Sequence, residues 1–353
     1  MFHRLTIESL VRDTEDSLVV TFAVPDDLRN DYRWLPGQHV TLRLPGVEPE
    51  VRRTYSICAA PGSPMRVGIK RLDGGLFSTW AATTMSVGDE MDVMTPSGSF
   101  TINCGVSAAR HVVAIAAGSG ITPVRAIVEA VLTVEPQSRV TLVCVNRAAF
   151  DAMFLHELAE LKDRFVRRFA LWHVLTREGR DLDLLSGHVD ASRAEELVAR
   201  RVIPTDADAY YLCGPEGFID EVRSALEAHQ VPAGRTHVEL FTSPSSTIAP
   251  RARIEPSDEH GVASIATIVL EGRATTVYVT NGEAVLDAAM RVRGDVPYSC
   301  RSGVCSTCRA LLRDGTVEMA TSAGLEDAEL AAGYVLTCQA VPTSDRVVVD
   351  FDC

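Results

Sequence analysis

Four cysteines in the last sixty residues have a spacing that suits a metal centre. Cys300, Cys305 and Cys308 lie within nine residues, and Cys338 follows after 29 intervening residues. This is the C-x4-C-x2-C…C pattern of plant-type [2Fe-2S] clusters, in which four thiolates hold two irons. Gly303 supplies the permissive backbone that such a tight loop needs. We therefore predict an iron–sulfur cluster, which accepts one electron at a time.

A structural zinc site is the alternative for these four cysteines. Four thiolates also suit Zn²⁺, but zinc sites usually combine two C-x2-C pairs, whereas here only Cys305 and Cys308 form such a pair. A zinc-stabilised adaptor protein would be colourless, whereas an iron–sulfur protein is red-brown. The spacing favours the cluster, so the rest of the chain should contain whatever loads it with electrons.

Length and composition limit the class of protein. A chain of 353 residues exceeds what one hydrophobic core normally serves, so two or three domains are expected. No apolar run reaches the ~18 residues of a membrane span, and the net charge of −13 argues against nucleic acid or an anionic membrane as partner. The N-terminus lacks an apolar segment with a cleavage site, so we expect a cytoplasmic protein with reduced cysteines.

The first 104 residues contain short β-rich runs separated by turn signals, which predicts a small antiparallel β-barrel. Residues 52–57 (Arg-Arg-Thr-Tyr-Ser-Ile) combine a cation, a ring and hydroxyls, as a flavin nucleotide requires. The pair Gly74 and Gly75 opens a short helix containing Ser78, where amides and a hydroxyl can bind a pyrophosphate. The alternatives are a surface arginine in a strand and a plain hairpin turn.

Residues 105–241 alternate hydrophobic strands with helical segments, which predicts a parallel α/β sheet. A buried strand at residues 111–117 runs straight into Gly-Ser-Gly-Ile-Thr-Pro at residues 118–123. Pro123 suits the first turn of a helix, which we expect at residues 124–132. A glycine-rich turn between a strand and its helix is where such sheets bind dinucleotide phosphates, although this turn is not the full G-x-G-x-x-G.

Two further strand ends in this domain carry chemistry. The strand at residues 140–145 ends at Asn146 and Arg147, where Rossmann-like folds contact the ribose. An arginine in place of an acid suits a 2′-phosphate, which predicts NADPH, with NADH as the alternative; strand-end arginines are also often simply solvated. Residues 213–218 (Cys-Gly-Pro-Glu-Gly-Phe) face the ligand crevice before a helix expected from about residue 219, although Cys213 also suits a small buried site.

The C-terminal part is predicted to be a separate domain. Residues 242–264 are rich in proline, serine and charge and have no apolar period, which predicts a linker. Beyond it, residues 265–270 and 275–280 predict a hairpin, and residues 283–290 predict a helix before the cysteine loop. The last 92 residues carry a net charge of −5.

Four motifs in order give a family resemblance over the whole chain. They are Arg-Thr-Tyr-Ser at 53–56, the glycine-rich turn at 118–123, Cys-Gly-Pro at 213–215 and the cysteines of the C-terminal domain. Together they resemble a ferredoxin-NADP reductase-type flavoprotein fused to a plant-type ferredoxin. The resemblance implies a flavin-binding barrel at 1–104, an NAD(P)-binding α/β domain at 105–241, and a β-grasp-type ferredoxin domain at 265–353.

Three segments resemble one branch of that family. Pro-Gly-Gln-His at 36–39, residues 116–123 and residues 331–340 are most similar to the reductases of phenylacetyl-CoA epoxidases, with the reductases of Rieske-type ring and steroid hydroxylases next. The expected partner is therefore a multicomponent oxygenase, the diiron phenylacetyl-CoA epoxidase, with a Rieske-type oxygenase as the alternative.

The resemblance also implies residue roles. FAD is expected, with Tyr55 against its ring and Ser56 near its reactive edge, while Ser56 and Cys213 act at the reacting atoms. The expected flavin-binding residues are Arg53, Tyr55, Ser56, Gly75, Ser78 and Phe241. The expected nicotinamide nucleotide site comprises Gly118, Gly120, Thr122, Pro123, Arg147, Cys213, Gly214 and Pro215. The expected cluster ligands are Cys300, Cys305, Cys308 and Cys338.

The cofactors imply an order of electron flow. A reduced nicotinamide delivers two electrons at once as a hydride, whereas the cluster accepts one electron at a time. A flavin, which is stable in three redox states, has to stand between them. The sequence therefore predicts a reductase that turns a two-electron donor into a one-electron donor.

Overall fold

The structure is a computed structural model that describes residues 1–48, 50–179, 182–241 and 262–353. The chain divides into two compact units, Phe2–Ser243 and Pro244–Cys353. Most of the predicted linker, residues 242–261, lies outside the described residues. Among the helices of the described residues, none combines the length and the apolar character needed to span a bilayer.

The first unit begins with a closed antiparallel sheet of six strands. They are β1 (Phe2–Thr14), β2 (Ser17–Ala23), β3 (His39–Arg43), β4 (Arg52–Ser56), β5 (Arg66–Lys70) and β6 (Glu90–Met94). The order is β4-β3-β6-β1-β2-β5, and an antiparallel bridge between Ile57 and Val67 joins the two ends. Helix α1 (Leu76–Thr83) connects β5 to β6. The predicted antiparallel barrel is confirmed.

Alternation of side chains builds the core of the barrel. On β1, buried Leu5 and Ile7 alternate with exposed Arg4 and Thr6, because successive strand side chains point to opposite faces. Each buried aliphatic side chain contributes about 2 kcal/mol relative to its exposed state. Phe77 of α1 belongs to the same core, so the helix is fixed against the strands that it follows.

The second part of this unit is a parallel sheet covered by helices. Its strands are β7 (His111–Ala117), β8 (Arg139–Asn146), β9 (Phe169–Leu175), β10 (Ala209–Gly214) and β11 (Thr236–Leu240). Its helices are α2 (Ile121–Val134), α3 (Leu155–Arg164), α4 (Ala191–Ala199) and α5 (Glu216–Ala228). The strand order is β11-β10-β7-β8-β9. The order reverses between β7 and β10, so a ligand crevice is expected beyond their carboxyl ends.

Two helices of this sheet begin earlier than predicted. Helix α2 starts at Ile121 and not at residue 124, because Pro123 fits within a first turn and does not need to open it. Helix α5 starts at Glu216 and not near residue 219. Glu216 lies in the first turn, where a negative charge is favoured by the helix dipole. The apolar periodicity used for prediction misses such polar first turns.

The second unit contains a mixed sheet with a short helix. Its elements are β12 (Val262–Leu270), β13 (Arg273–Thr280), α6 (Val285–Met290), β14 (Arg309–Asp314), β15 (Val317–Met319), α7 (Asp327–Ala331), β16 (Tyr334–Leu336), β17 (Ala340–Pro342) and β18 (Arg346–Asp350). The five-stranded sheet has the order β13-β12-β18-β14-β16, with β15 and β17 paired separately. The predicted hairpin is confirmed, with Glu271 and Gly272 at positive φ in its turn.

Candidate redox site

Ser56 and Cys213, the two residues expected at the reacting atoms, meet at one carboxylate. The hydroxyl of Ser56 donates a hydrogen bond to Glu239 Oε2 over 3.3 Å. The thiol of Cys213 contacts the same oxygen at 3.8 Å. Ser56 belongs to the barrel, whereas Cys213 and Glu239 belong to the parallel sheet. The contact therefore joins the predicted flavin side to the predicted nicotinamide side.

Strand register explains why these side chains converge. Cys213 and Glu239 are partners in the parallel pairing of β10 with β11, so their side chains project to the same face. Ser56 is 3% exposed and Cys213 is 0% exposed. Burial raises the pKa of Glu239 to about 8, and burial also raises the pKa of Cys213. A carboxyl group that titrates near neutral pH can hold or release a proton at this point.

The glycine-rich turn lies directly beside Cys213. Gly118 has a φ of +55°, and a Cβ on Gly120 would fall inside contact distance of the Cys213 carbonyl oxygen. Thr122 Oγ1 donates to the Ser119 carbonyl oxygen at 2.9 Å, which fixes the entry to α2. Only glycine at position 120 allows this turn to approach the end of β10 so closely.

The predicted flavin residue Tyr55 is one end of a row of three aromatic rings. The ring centroids of Tyr55 and Phe77 are 5.4 Å apart, and those of Phe77 and Trp80 are 5.8 Å apart. Burial raises the pKa of Tyr55, so its phenol stays neutral. Arg53 on the same strand is exposed, and its Nη1 donates to the Arg52 carbonyl oxygen at 2.7 Å. A ring and an exposed guanidinium on one strand suit a flavin nucleotide.

Ser78 shapes the turn that precedes α1. Its Oγ accepts the backbone N–H of Leu72 at 3.1 Å and donates to the Gly75 carbonyl oxygen at 3.3 Å. A Cβ on Gly75 would lie 2.5 Å from the same Oγ, so a larger residue there would disturb these hydrogen bonds. The binding of pyrophosphate by Gly75 and Ser78 stays a prediction, and the hydroxyl already holds the turn that would present the amides.

Arg147 lies at the carboxyl end of β8, as predicted, but two acids contact it. Its Nε lies 3.0 Å from Asp151 Oδ2, and its Nη2 lies 3.4 Å from Asp16 Oδ2. The side chain is 47% exposed. A 2′-phosphate at this position would compete with both carboxylates for the guanidinium. Sequence reasoning did not anticipate Asp16, since it comes from the barrel.

Phe241 follows the last strand of the sheet. Its backbone N–H donates to the Gly214 carbonyl oxygen at 3.1 Å, and its partly buried ring packs against the core of the parallel sheet. The residue is therefore placed beside the Cys213 and Gly214 segment. Its expected role of covering the flavin stays a prediction.

An ion-pair network around the buried side chain of Arg125 holds the two halves of the first unit together. Arg125 of α2 is buried, its Nη2 lies 2.5 Å from Glu157 Oε2, and its Nη1 donates to the Cys58 carbonyl oxygen. Arg66 of β5 contacts Glu157 at 2.5 Å. Charged hydrogen bonds of this kind are costly to break from one side only. The network therefore fixes the position of the barrel on the sheet that carries Cys213.

The cysteine loop of the second unit is tightly turned. Arg301, Gly303 and Ser306 all have positive φ, at +57°, +79° and +54°. A Cβ on Gly303 would lie 2.7 Å from Thr321 Cγ2, so glycine is required. Gln339 Nε2 donates to the Arg301 carbonyl oxygen at 2.9 Å, which ties the loop to the segment carrying the fourth cysteine.

The three cysteines of the loop and Cys338 lie close enough to affect one another. The neighbouring thiol of Cys300 raises the pKa of Cys305, and the neighbouring thiol of Cys338 raises the pKa of Cys308. Thiols in such pairs lose their protons when a metal balances the charge. Within the described ranges, no three or more His, Cys, Asp or Glu side chains converge on one metal ion. The C-x4-C-x2-C…C spacing of these four thiols suits the two irons of a [2Fe-2S] cluster.

The known domain families match the three parts of the chain. An oxidoreductase FAD-binding domain matches residues 5–102, an oxidoreductase NAD-binding domain matches residues 114–224, and a 2Fe-2S iron–sulfur cluster binding domain matches residues 268–343. Fold and site together define an oxidoreductase that depends on a flavin and an iron–sulfur cluster. Its cofactors are FAD, a pyridine nucleotide and a [2Fe-2S] cluster.

Curated relatives match over the full length. The chain is 39% identical to one component protein of the 1,2-phenylacetyl-CoA epoxidase of Escherichia coli, over 99% of this chain and 98% of that protein. It is 32% identical to the ferredoxin reductase component of 3-ketosteroid-9-alpha-monooxygenase of Rhodococcus rhodochrous, over 98% of this chain and 96% of that protein. The chain belongs to this family of oxygenase reductase components.

Solved structures share the fold. Phthalate dioxygenase reductase has a TM-score of 0.57 and 22% identity, covering 99% of this chain and 98% of that one. An intact type IV self-sufficient cytochrome P450 monooxygenase has a TM-score of 0.68 and 22% identity, covering 99% of this chain and 41% of that one. The three-domain composition expected from the sequence motifs is confirmed at the level of fold.

Sequence reasoning missed two side chains of the redox site, Glu239 and His39. Glu239 is the one acid in the otherwise apolar and aromatic segment at 237–241, and a lone carboxylate in a sheet strand is a usable signal. His39 belongs to the Pro-Gly-Gln-His segment that carries the family resemblance, but that segment gave the histidine no role at the site.

Proposed function

We propose that this protein is the reductase component of a multicomponent oxygenase, passing electrons from NADPH through FAD and the [2Fe-2S] cluster to the diiron phenylacetyl-CoA epoxidase of phenylacetate catabolism. The observation that carries the proposal is the meeting of Ser56, Cys213 and Glu239 between the barrel and the parallel sheet. The full-length similarity to a component protein of 1,2-phenylacetyl-CoA epoxidase supports the choice of acceptor.

The residues of the first unit would position the reactants. Tyr55 offers a ring, and Ser56, the next residue of the same strand, offers a hydroxyl. A Cβ on Gly118 would meet nothing within 4 Å, which leaves the backbone open after β7 for a nicotinamide nucleotide, while Gly120 packs against the Cys213 backbone. When bound, the flavin supplies the conversion of two-electron to one-electron chemistry. The protein contributes orientation and a neutral, buried surrounding.

NADPH is proposed as the coenzyme in preference to NADH. Arg147 at the end of β8 is the support, because a guanidinium suits a 2′-phosphate and no acid replaces it at that position. Asp16 and Asp151 reduce its net attraction for a phosphate, so a moderate preference is expected and not an absolute one.

The negative charge of the ferredoxin domain supports the proposal that the partner docks through a basic surface. Residues 262–353 carry a net charge of −5, and opposite charges on two proteins raise the rate of association more than the final affinity. That gain shrinks with salt as the Debye length falls from about 10 Å at 0.1 M. The cytoplasm is the proposed location, because the four cluster cysteines have to stay reduced until iron is inserted.

A Rieske-type oxygenase is the second candidate acceptor. The observation that favours it is the similarity, at 32%, to the reductase component of a 3-ketosteroid monooxygenase over nearly the whole chain. The two candidates use the same reductase chemistry and differ only in the acceptor surface.

Reconstitution distinguishes the two acceptors. Purified reductase, NADPH and oxygen are supplied to the diiron epoxidase with phenylacetyl-CoA, and separately to a Rieske oxygenase with its own substrate. We expect product with the diiron complex, at a rate that falls as salt is raised. Turnover with the Rieske oxygenase alone would overturn the choice of acceptor. Turnover that does not change with salt would overturn the proposed docking through opposite charges and leave the choice of acceptor standing.

A further inference from the structure

His39 approaches the oxygen of Glu239 that Ser56 and Cys213 do not contact. It is the first residue of β3, it is 2% exposed, and it is paired with Ser56 in the β3–β4 register. Directly paired strand residues project their side chains to the same face. His39 Nδ1 lies 3.9 Å from Glu239 Oε1, whereas Ser56 and Cys213 contact Oε2. The two oxygens of one carboxyl group therefore face different partners.

The other ring nitrogen of His39 points towards a residue nearer the surface. His39 Nε2 lies 3.2 Å from the hydroxyl oxygen of half-buried Ser97. The backbones of His39 and Ser97 also exchange two hydrogen bonds of 2.9 Å each. Gly98 has a φ of +112°, and a Cβ there would lie 2.8 Å from His39 Nδ1. The ring is therefore held in place between Ser97 and Glu239.

The protonation states of the two side chains complement each other. Burial lowers the pKa of His39 to about 4, and burial raises the pKa of Glu239 to about 8. At neutral pH a neutral imidazole therefore faces a mostly protonated carboxyl group. A neutral imidazole can accept a proton at one nitrogen while it donates from the other. The titratable groups that face Glu239 among the described residues are Cys213 from β10 and His39 from β3.

The reaction itself requires a route for a proton. Oxidation of a reduced nicotinamide yields two electrons and one proton, and the electrons leave through the cluster one at a time. One proton therefore has to leave the buried pocket in each turnover. Ser56 and Cys213 are almost completely buried, whereas the Glu239 side chain is 13% exposed, so its carboxyl group is the member of this cluster through which that proton can move outward.

We propose that His39 is a positioning residue that passes the proton of Glu239 to Ser97 and from there to solvent. The O–H bond of the carboxyl group breaks as an N–H bond forms at Nδ1. The proton on Nε2 passes to the hydroxyl oxygen of Ser97, whose own proton goes to water, and no electrons move in this step. The terminal torsion of a glutamate is soft, so the 3.9 Å separation closes by a small rotation. This inference rests on the proposed function.

The test compares proton release with electron flow. A pH indicator in weak buffer follows the proton after the holoenzyme is mixed with NADPH and an artificial acceptor, while absorbance follows NADPH. The variants are His39→Phe and Ser97→Ala, with Ser99→Ala in the same loop as the matched control. In both variants we expect the rate of proton release to fall about tenfold or more below the rate of NADPH oxidation, because loss of a proton-transfer group commonly slows a reaction by that much. In the Ser99→Ala control, proton release should keep pace with NADPH oxidation.

A second measurement does not depend on turnover. The carboxyl C=O band of Glu239, assigned with Glu239→Gln, is titrated by infrared spectroscopy in the oxidised holoprotein. His39→Phe should raise the midpoint, because an apolar ring favours the neutral acid, whereas His39→Gln should restore part of the shift. Proton release that keeps pace with electrons in both His39→Phe and Ser97→Ala, or an unmoved midpoint in His39→Phe, would overturn the relay. Failure of the wild type to oxidise NADPH would instead overturn the proposed function.

Discussion

Ser56 Oγ and Glu239 Oε2 lie 3.3 Å apart, and this hydrogen bond crosses from the barrel to the last strand of the parallel sheet. Because the Glu239 side chain is only 13% exposed, its charge state depends on what lies beside it. The hydrogen bond from Ser56 therefore affects the pKa of Glu239, and with it the pH at which the pocket gains or loses a proton. The first prediction follows from this link.

Glu239→Gln should flatten the dependence of stability on pH. The pKa of Glu239 is raised from 4.5 to about 8 in the folded protein. Between these values the folded state binds more protons than the unfolded state, so wild-type stability falls as pH rises, by up to about 1.4 kcal/mol per pH unit. The measurement is the thermal unfolding midpoint of both proteins from about pH 5 to about pH 9. The exposed Glu90→Gln is the control, and parallel curves for wild type and Glu239→Gln would refute the assignment.

Cys305→Ser should remove the iron–sulfur cluster but leave the first unit working. Three thiolates do not complete the ligand set, whereas the flavin and nucleotide domains belong to a separate compact unit. We expect loss of the visible cluster absorbance, with NADPH oxidation by an artificial acceptor retained. Cys353→Ser, at an exposed cysteine, serves as control. If Cys305→Ser lost NADPH oxidation as well as the cluster absorbance, while Cys353→Ser kept both, the two units would not work independently.

Arg147→Ala should reduce the preference for NADPH over NADH. A charged hydrogen bond to a phosphate contributes about 1.5–3 kcal/mol, so the ratio of kcat/KM values should fall by about tenfold or more. Asp16→Asn should act in the opposite direction, because it removes a carboxylate that lies 3.4 Å from the guanidinium. The exposed Arg200→Ala is the control. Equal use of both coenzymes by the wild type would count against Arg147 as the specificity residue.

Gly120→Ala should damage the nicotinamide side of the site. The added methyl group would meet the Cys213 carbonyl oxygen, and backbone atoms cannot yield as a flexible side chain does. We expect a raised KM for NADPH and a lower unfolding midpoint. Gly217→Ala in α5 has open space around its Cβ and should be neutral or slightly stabilising. If Gly120→Ala and Gly217→Ala had the same KM for NADPH and the same unfolding midpoint, the close approach of Gly120 to the Cys213 backbone would be unimportant.

Much of the fold was predictable because local patterns coincide with tertiary structure. Strand β7 was predicted at its observed bounds, since an unbroken apolar run between polar residues leaves no other choice. The starts of α2 and α5 were missed by about three residues, because polar first turns and Pro123 do not show in apolar periodicity. The order of the motifs along the chain also predicted the order of the domains.

The candidate site was only partly predictable. Ser56 and Cys213 were predicted from motifs, and the structure brings them to one carboxyl group. Glu239 and His39 were missed, because their meeting depends on how the barrel packs on the sheet, which no local pattern encodes. The same holds for the two acids beside Arg147, one of which comes from the barrel. Contacts between domains are set by packing, so a single sequence does not reveal them.

Anaerobic reduction by NADPH, followed by cofactor analysis and electron paramagnetic resonance, tests the central claim most directly. The protein should contain about one FAD and about two irons with two sulfides per chain. Addition of NADPH should bleach the flavin and produce the signal of a reduced [2Fe-2S] cluster, which Cys305→Ser should lack. Zinc in place of iron, or a cluster that stays oxidised while the flavin is reduced, would contradict the account.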